Sequence, residues 1–508
     1  MNLLVSTSTF SFFTLISRIL GYARDILIAV FLGTSLLADV FFVAFRLPNT
    51  FRRLFAEGTF NAAFIPSYAG ELAKNKKQAD YFAKNVFNLL FIILLIIILL
   101  AEIFMPQLVY LIAPGFNKDA DKLHLAIQLS RITFPFLFFV TLASFFSAIL
   151  NSYNKFALPA AAPILLNIIL ILSLFFSQWM DTPNILILSY AVSLAGFLQL
   201  LVLGFFVKKY FKPILSIKIK IDKKIRLFFK KLLPSIFSSG VTQINILVGT
   251  IIASFQAGAV SYLYYADRVY QINLAVAGIA VGTVMLPELS KQIKNKNTKK
   301  AYNLQNRSLE LCLFLSIPAA VGLFLASREI ITSLFGYGSF DIDSVVNTAA
   351  ALTFFALGVP AFSILKIFSN FFFARNNTKL PFYLSLISVV FNILISVIFF
   401  QKIGFIIIPI ATSISSWIHV VLYYYFIKKR KFHQFDNMFI YKFPRIMSSV
   451  VVMATILHLL LDFFSNQFNY YENWKFIYLF IVVGVSLLGY LLTSNFSGAF
   501  KFRNIKLK

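Results

Sequence analysis

The chain has 508 residues, 59% hydrophobic and 13% charged, with a formal net charge of +27. Soluble domains carry about 25% charged residues, so this composition excludes a soluble enzyme, and the basic residues lie in short loops between apolar runs, where membrane orientation accounts for them better than nucleic acid does. One cysteine, Cys312, and four scattered histidines exclude an internal disulfide and offer no metal-ligand pair at helical spacing.

A crossing takes about 20 apolar residues. In chain order the predicted spans are 4–32, 37–66, 84–112, 126–150, 158–178, 185–207, 228–255, 259–289, 303–327, 345–374, 381–400, 404–427, 444–464 and 475–494. The expected fold is therefore an all-α polytopic membrane protein of about 14 helices. The first segment lacks a small-residue cleavage site and is expected to remain as helix 1. The loops after helices 2, 4, 6, 8 and 12 are basic, and the one after helix 6 sets ten Lys and Arg against Asp222 alone. The odd-numbered loops are nearly neutral, with Lys118 and Lys122 balanced by Asp119 and Asp121. This alternation puts both termini in the cytoplasm.

An internal repeat is visible. Arg46 and Arg268 lie 222 residues apart, and Pro66 and Pro287 lie 221 apart. Pro135 and Asn167 are separated by 32 residues, as are Pro360 and Asn392, at an offset of 225. Helices 1–6 and 7–12 read as two copies of one orientation, which predicts two pseudo-symmetric lobes around a central cavity. The expected domains are an N-lobe over 1–210, a basic cytoplasmic linker over 211–227, a C-lobe over 228–430, and helices 13–14 with the tail over 431–508.

Helices 1 and 2 carry Arg18, Arg24, Asp25, Asp39, Arg46, Arg52, Arg53 and Glu57. A charge near the bilayer centre costs about 2.5–3.5 kcal/mol even on lenient scales, which folding a membrane helix does not require. The offset of 222 places Gly240 opposite Arg18 and Ile246 opposite Arg24, so most of this charge belongs to one copy. That asymmetry points to a ligand, and the excess of Arg points to an anion. Arginine suits phosphate because its planar fork donates two hydrogen bonds. In helix 2, Asp39, Arg46 and Arg53 are spaced by seven and share a face, and Arg53 and Glu57 can pair at i, i+4. Pro48 removes a mid-helix hydrogen bond, and Gly58 adds a second soft point. The plain alternatives are a static core of neutralised charges and, for Arg24, an interfacial anchor. Asp267-Arg268 in helix 8 reads as structural by itself; the match to Arg46 across the repeat raises Arg268. The basic loop after helix 6 reads as a link between the copies ahead of an anionic-lipid patch.

Several of these segments resemble the MurJ (MviN) lipid II flippases of the MOP exporter superfamily. They are Ser17 to Asp25, Phe41 to Asn49, Arg52 to Gly58, Ala113-Pro114-Gly115-Phe116, Pro159 to Asn167, Tyr264 to Arg268 and Gly282-Thr283 to Leu286-Pro287. After Pro287 the match is patchy. The resemblance implies two six-helix lobes plus two extra helices that form a groove for a lipid tail. It implies alternating-access transport of lipid II, the undecaprenyl-pyrophosphate-linked disaccharide-pentapeptide, to the outer face of the bacterial cytoplasmic membrane, for peptidoglycan synthesis. Arg18, Arg24, Arg52 and Arg268 match the family's cationic cavity and would bind substrate. Asp25, Asp39, Arg46, Pro48, Arg53, Glu57 and Gly58 would support or gate it. No catalysis, cofactor, metal or nucleic acid is implied, and the sequence selects no coupling ion. The runner-up is a related exporter of another lipid-linked saccharide or of drugs. A membrane glycosyltransferase or lipid phosphatase would need an acidic or histidine constellation. Asp119, Asp121, Asp181, Asp341 and Asp343 do not form one.

Overall fold

The computed structural model describes residues 3–56, 59–179, 184–216 and 222–500. The described elements are helical throughout. In chain order the first ten are α1 (Leu3–Leu32), α2 (Leu36–Ala56), α3 (Thr59–Leu72), α4 (Lys76–Ile103), α5 (Met105–Ile112), α6 (Ala120–Thr133), α7 (Phe136–Ser152), α8 (Ala157–Phe176), α9 (Asn184–Val207) and α10 (Lys223–Ala253). There follow α11 (Ala259–Leu274), a π-helical turn (Ala275–Ala280), α12 (Val281–Lys294), α13 (Thr298–Leu325), α14 (Ser327–Phe335) and α15 (Ile342–Phe373). The chain then forms α16 (Lys379–Ile403), α17 (Ile407–Lys429), α18 (Asn437–Phe463) and α19 (Lys475–Ser497).

Helix occupies each predicted span, with differences of detail; residues 126–150, for one, divide into α6 and α7 at Phe134-Pro135. Residues 37–66 hold two helices, α2 and α3, and Glu57 and Gly58 lie outside the described residues. Residues 84–112 divide into α4 and α5, because Pro106 sits in the first turn of α5, where its missing N–H costs nothing. Residues 259–289 carry the π-helical turn. Among the described residues, ten stretches are long and apolar enough to cross a membrane. Helices α1 to α3 are not among them, and in α10 the described apolar stretch is the shorter Gln243–Ala253.

Four loop acids, among them Asp119 and Asp341, are helix caps. Asp119 accepts from the Lys122 N–H, Asp222 from the N–H groups of Lys224 and Ile225, Asp341 from Ser344 and Asp436 from Phe439. Each answers backbone donors that a helix start leaves open.

The chain forms two compact units, Met1–Ser261 and Tyr262–Lys508. The repeat boundary at 211–227 concerns the order of helices along the chain; packing takes α10 into the first unit, against α2, α3 and α4. Its core is aromatic. Phe60, Phe64 and Tyr68 stack along one face of α3 at 5.2 and 5.4 Å between ring centres. Phe228 of α10 packs edge-on against Phe60, Phe64 and Phe82. Outside the apolar spans, Glu71 receives Lys224 Nζ at 2.7 Å and Lys74 Nζ at 3.3 Å, fastening α3 to the start of α10. The Lys224 hydrogen bond holds the Glu71 carboxyl below its ordinary range.

In the second unit α15 is central, packed on α13 and α17. Phe368, Phe371, Phe372 and Tyr423 form its core together with Leu309 and Cys312. The added helices α18 and α19 dock on α13 through Phe314, whose ring lies 5.0 Å from that of Tyr490 and 4.6 Å from that of Phe500.

Candidate functional site

Helix α1 presents its charges in two different settings. Arg18 is exposed and makes no hydrogen bond or ion pair among the described residues. Six residues on, about 9 Å along the axis, Arg24 is 7% exposed and fully engaged. Its Nε and Nη2 donate to Asp25 Oδ1 at 3.0 and 2.6 Å, and its Nη1 donates to Asn167 Oδ1 at 3.0 Å. Asn167 in turn donates from Nδ2 to the carbonyl of Ser17 at 2.9 Å, which pins α8 to α1. Asn392, its counterpart in the repeat, turns instead to Thr412 and Ser396. Of the two asparagines at the 225-residue spacing, Asn167 receives Arg24.

Helix α2 turns its charged stripe toward protein. Asp39 has no exposed surface, and Arg46 and Arg53 are half-buried. The Asp39 carboxylate accepts four hydrogen bonds. They come from Lys122 Nζ at 3.1 Å, the Gly258 N–H at 2.9 Å, the Ser261 N–H at 3.0 Å and Ser261 Oγ at 2.7 Å. It therefore caps the first turn of α11 from another helix. Lys122 also lies over the Phe116 ring, 4.1 Å from its centre. Gly115, in the same turn, donates its N–H to Ser254 Oγ at 3.0 Å. The Ala113-Pro114-Gly115-Phe116 segment thereby backs the ion pair. The sequence counts Lys122 with Lys118 as loop charge balanced by Asp119 and Asp121, whereas in the structure it pairs with Asp39. Its partner lies 83 residues away, and no local spacing points to it.

Pro48 lies inside α2 without ending it. Its missing N–H leaves the Ala44 carbonyl without its usual donor, and Thr133 Oγ1 of α6 supplies one at 3.0 Å. Arg52 is half-buried and donates from Nε to Asn49 Oδ1 at 3.0 Å. Arg268, in the second unit, donates from Nη2 to the Tyr264 hydroxyl at 2.9 Å and lies 4.7 Å from the centre of that ring. Asp267 accepts from Gln271. The adjacent Asp267 and Arg268 thus bond to different residues along α11. Among the described residues no group of three His, Cys, Asp or Glu is placed to hold a metal.

The MurJ family profile, described as lipid II flippase MurJ, matches residues 28–480. A relative from Rhizobium tropici named as a probable lipid II flippase MurJ is 41% identical over 416 residues, 80% of this chain and 78% of the relative. A solved structure of lipid II flippase MurJ in an inward closed conformation is 30% identical, with a TM-score of 0.82 over 96% of this chain and 98% of its own. An inward-facing MATE-family transporter of the MOP superfamily has a TM-score of 0.66 at 14% identity, over 82% of this chain and 94% of its own, and shares the fold alone. Charged first helices, an all-helical two-unit chain and identity over most of the length lead to one conclusion: the chain belongs to the lipid II flippase MurJ family.

Proposed function

We propose that this protein moves lipid II from the cytoplasmic to the outer face of the bacterial inner membrane by alternating access, with both termini cytoplasmic. The substrate emerges unchanged, so the protein acts as a transporter and not as an enzyme. The observation that carries the reading is Arg18, an exposed guanidinium in a membrane helix with no carboxylate to answer it among the described residues. Such a group calls for an anion, and a diphosphate matches its bidentate geometry. Arg24, Arg52 and Arg268 are the other proposed contacts. Arg24 joins them only when Asp25 and Asn167 release it, which makes that buried trio a switch between two arrangements. Asp39 supports the site from its own network through Lys122.

Depleting the protein in cells and probing outer-face lipid II tests this. Outer-face lipid II is expected to fall, and Arg18→Ala is expected to fail to restore it while remaining in the membrane. Undiminished outer-face lipid II in depleted cells without a second flippase would overturn the proposal.

A further inference from the structure

The second unit holds an ionisable residue that the reading above does not use. Lys366 lies in α15, seven residues before its end at Phe373. Its side chain keeps accessible surface although protein surrounds it, and its ammonium has no hydrogen bond or ion pair among the described residues. The nearer end of α15 is about 10 Å away along the axis. Helical side chains lean toward the N-terminus, so Lys366 leans away from that end, and snorkelling to it is disfavoured. An unanswered ammonium held inward in a membrane helix is a functional residue by default.

Its stem is seated. A Cβ at Gly278 would lie 3.1 Å from Ser363 Cα and 3.4 Å from Lys366 Cγ, so α15 and the Lys366 stem pack directly on this glycine and a side chain there would push them back by a few tenths of an ångström. Gly278 belongs to the π-helical turn, a feature frequent at functional sites. One turn on, Asn370 Nδ2 donates to the Gly282 carbonyl at 2.7 Å. Gly278 meets Ser363 and Gly282 meets Asn370, so the contacts advance together and the two segments run parallel. Lys366 and Arg268 are therefore carried on one joined framework and lean the same way. Ten residues separate Arg268 from Gly278, roughly 15 Å at helical rise. That is farther than the two phosphates of one diphosphate can bridge.

We infer that Lys366 is a second anion contact, which binds a carboxylate of the peptide stem while Arg268 takes the diphosphate. This rests on lipid II being the transported molecule. The stem branches from the sugar next to the diphosphate, and five extended residues reach about 17 Å, enough to span the gap.

The test measures binding of lipid II and of undecaprenyl diphosphate to the purified full chain. Lys366→Met, which keeps the stem and removes the charge, is expected to weaken lipid II binding roughly tenfold, the scale of one charge-assisted hydrogen bond. Binding of undecaprenyl diphosphate is expected to stay within about twofold under the same reasoning. Lys366→Arg is expected to retain both, and Arg268→Gln to weaken both. Lipid II with its stem carboxylates amidated is expected to bind the unaltered protein as weakly as native lipid II binds Lys366→Met, a comparison that does not depend on the variant folding. Unchanged lipid II binding in Lys366→Met, or full-strength binding of the amidated ligand, overturns the inference. Equal weakening of both ligands in Lys366→Met moves the contact to the diphosphate and overturns the peptide assignment. If the unaltered protein binds no lipid II, the proposed function itself fails.

Discussion

A carboxylate with no exposed surface needs its lone pairs answered, and Asp39 obtains four donors from three places along the chain. Removing one partner leaves the other charge stranded, which costs about 3–5 kcal/mol. Lys122→Met is therefore expected to lower stability by that amount, read from thermal unfolding in detergent, while Lys122→Met with Asp39→Leu loses less than the two single changes combined. A double variant as unstable as that sum would show that the pair is not the source of the cost. Gly115 is constrained by its neighbour rather than by its torsions. A Cβ there would lie 2.2 Å from the Ser254 carbonyl oxygen, a backbone atom that cannot rotate away. Gly115→Ala is expected to destabilise by about 1–3 kcal/mol, with Ser254→Ala bringing no relief. Thermal unfolding of the single and double variants separates these outcomes.

At the scale of elements, prolines mark where helices meet. Pro48 strands the Ala44 carbonyl and Thr133 of α6 fills it. Pro318 likewise strands the Phe314 carbonyl, and the Tyr490 hydroxyl of α19 fills it at 2.7 Å. The two appended helices are thus keyed to α13 by a donor that α13 itself lacks. Tyr490→Phe is expected to cost about 1–3 kcal/mol by leaving a buried acceptor unpaired. In a Pro318→Ala background the helix regains its own N–H, so the same change is expected to be milder; an identical cost in both backgrounds would refute the keying. The loop before α18 is a second attachment. His433 Nδ1 lies 3.1 Å from Gln305 Oε1, and Asn306 donates to the Gln434 carbonyl at 2.9 Å. Arg307 bridges Glu310 and Asp436, and Lys442 also reaches Glu310. Burial lowers the His433 imidazole from 6.5 to about 4. The folded form keeps it neutral while the unfolded chain takes up a proton, so stability is lost as pH falls from about 6.5 toward about 4. Hydrogen exchange in the 430–436 loop is expected to quicken over that window, and His433→Asn to flatten the response.

For the whole molecule, a single thiol serves as a reporter. Cys312 has no exposed surface and sits in the core of the second unit with Ile367 and Phe371. A polar maleimide is expected to leave the native protein unlabelled and to modify it only as that unit opens. Labelling in native membranes without denaturant would contradict the packing described. The two units differ in how they hold charge. The first joins Asp39 to Lys122 and Arg24 to Asp25 and leaves Arg18 without an ion pair among the described residues; the second joins Arg307, Glu310, Asp436 and Lys442 and leaves Lys366 without one.

Hydropathy, the 222-residue spacing and the arginine-rich first helices were legible without coordinates, because apolar length and buried charge are properties of local stretches. The family motifs at Ser17 to Asp25 and Ala113 to Phe116 were legible for the same reason, though not what their residues touch. Helix ends were less so: Pro106 divides a run that reads as one span. Lys366 carried a signal, a lone lysine in an apolar run, that was passed over because no motif surrounds it. Sequence alone therefore determined that this is a polytopic helical membrane protein with more guanidinium than a bilayer tolerates unaided. Tertiary structure alone decided which charges are satisfied. The lysine paired with Asp39 lies 83 residues away and the asparagine that receives Arg24 lies 143 away, and such contacts depend on distance in space, which spacing along the chain does not encode.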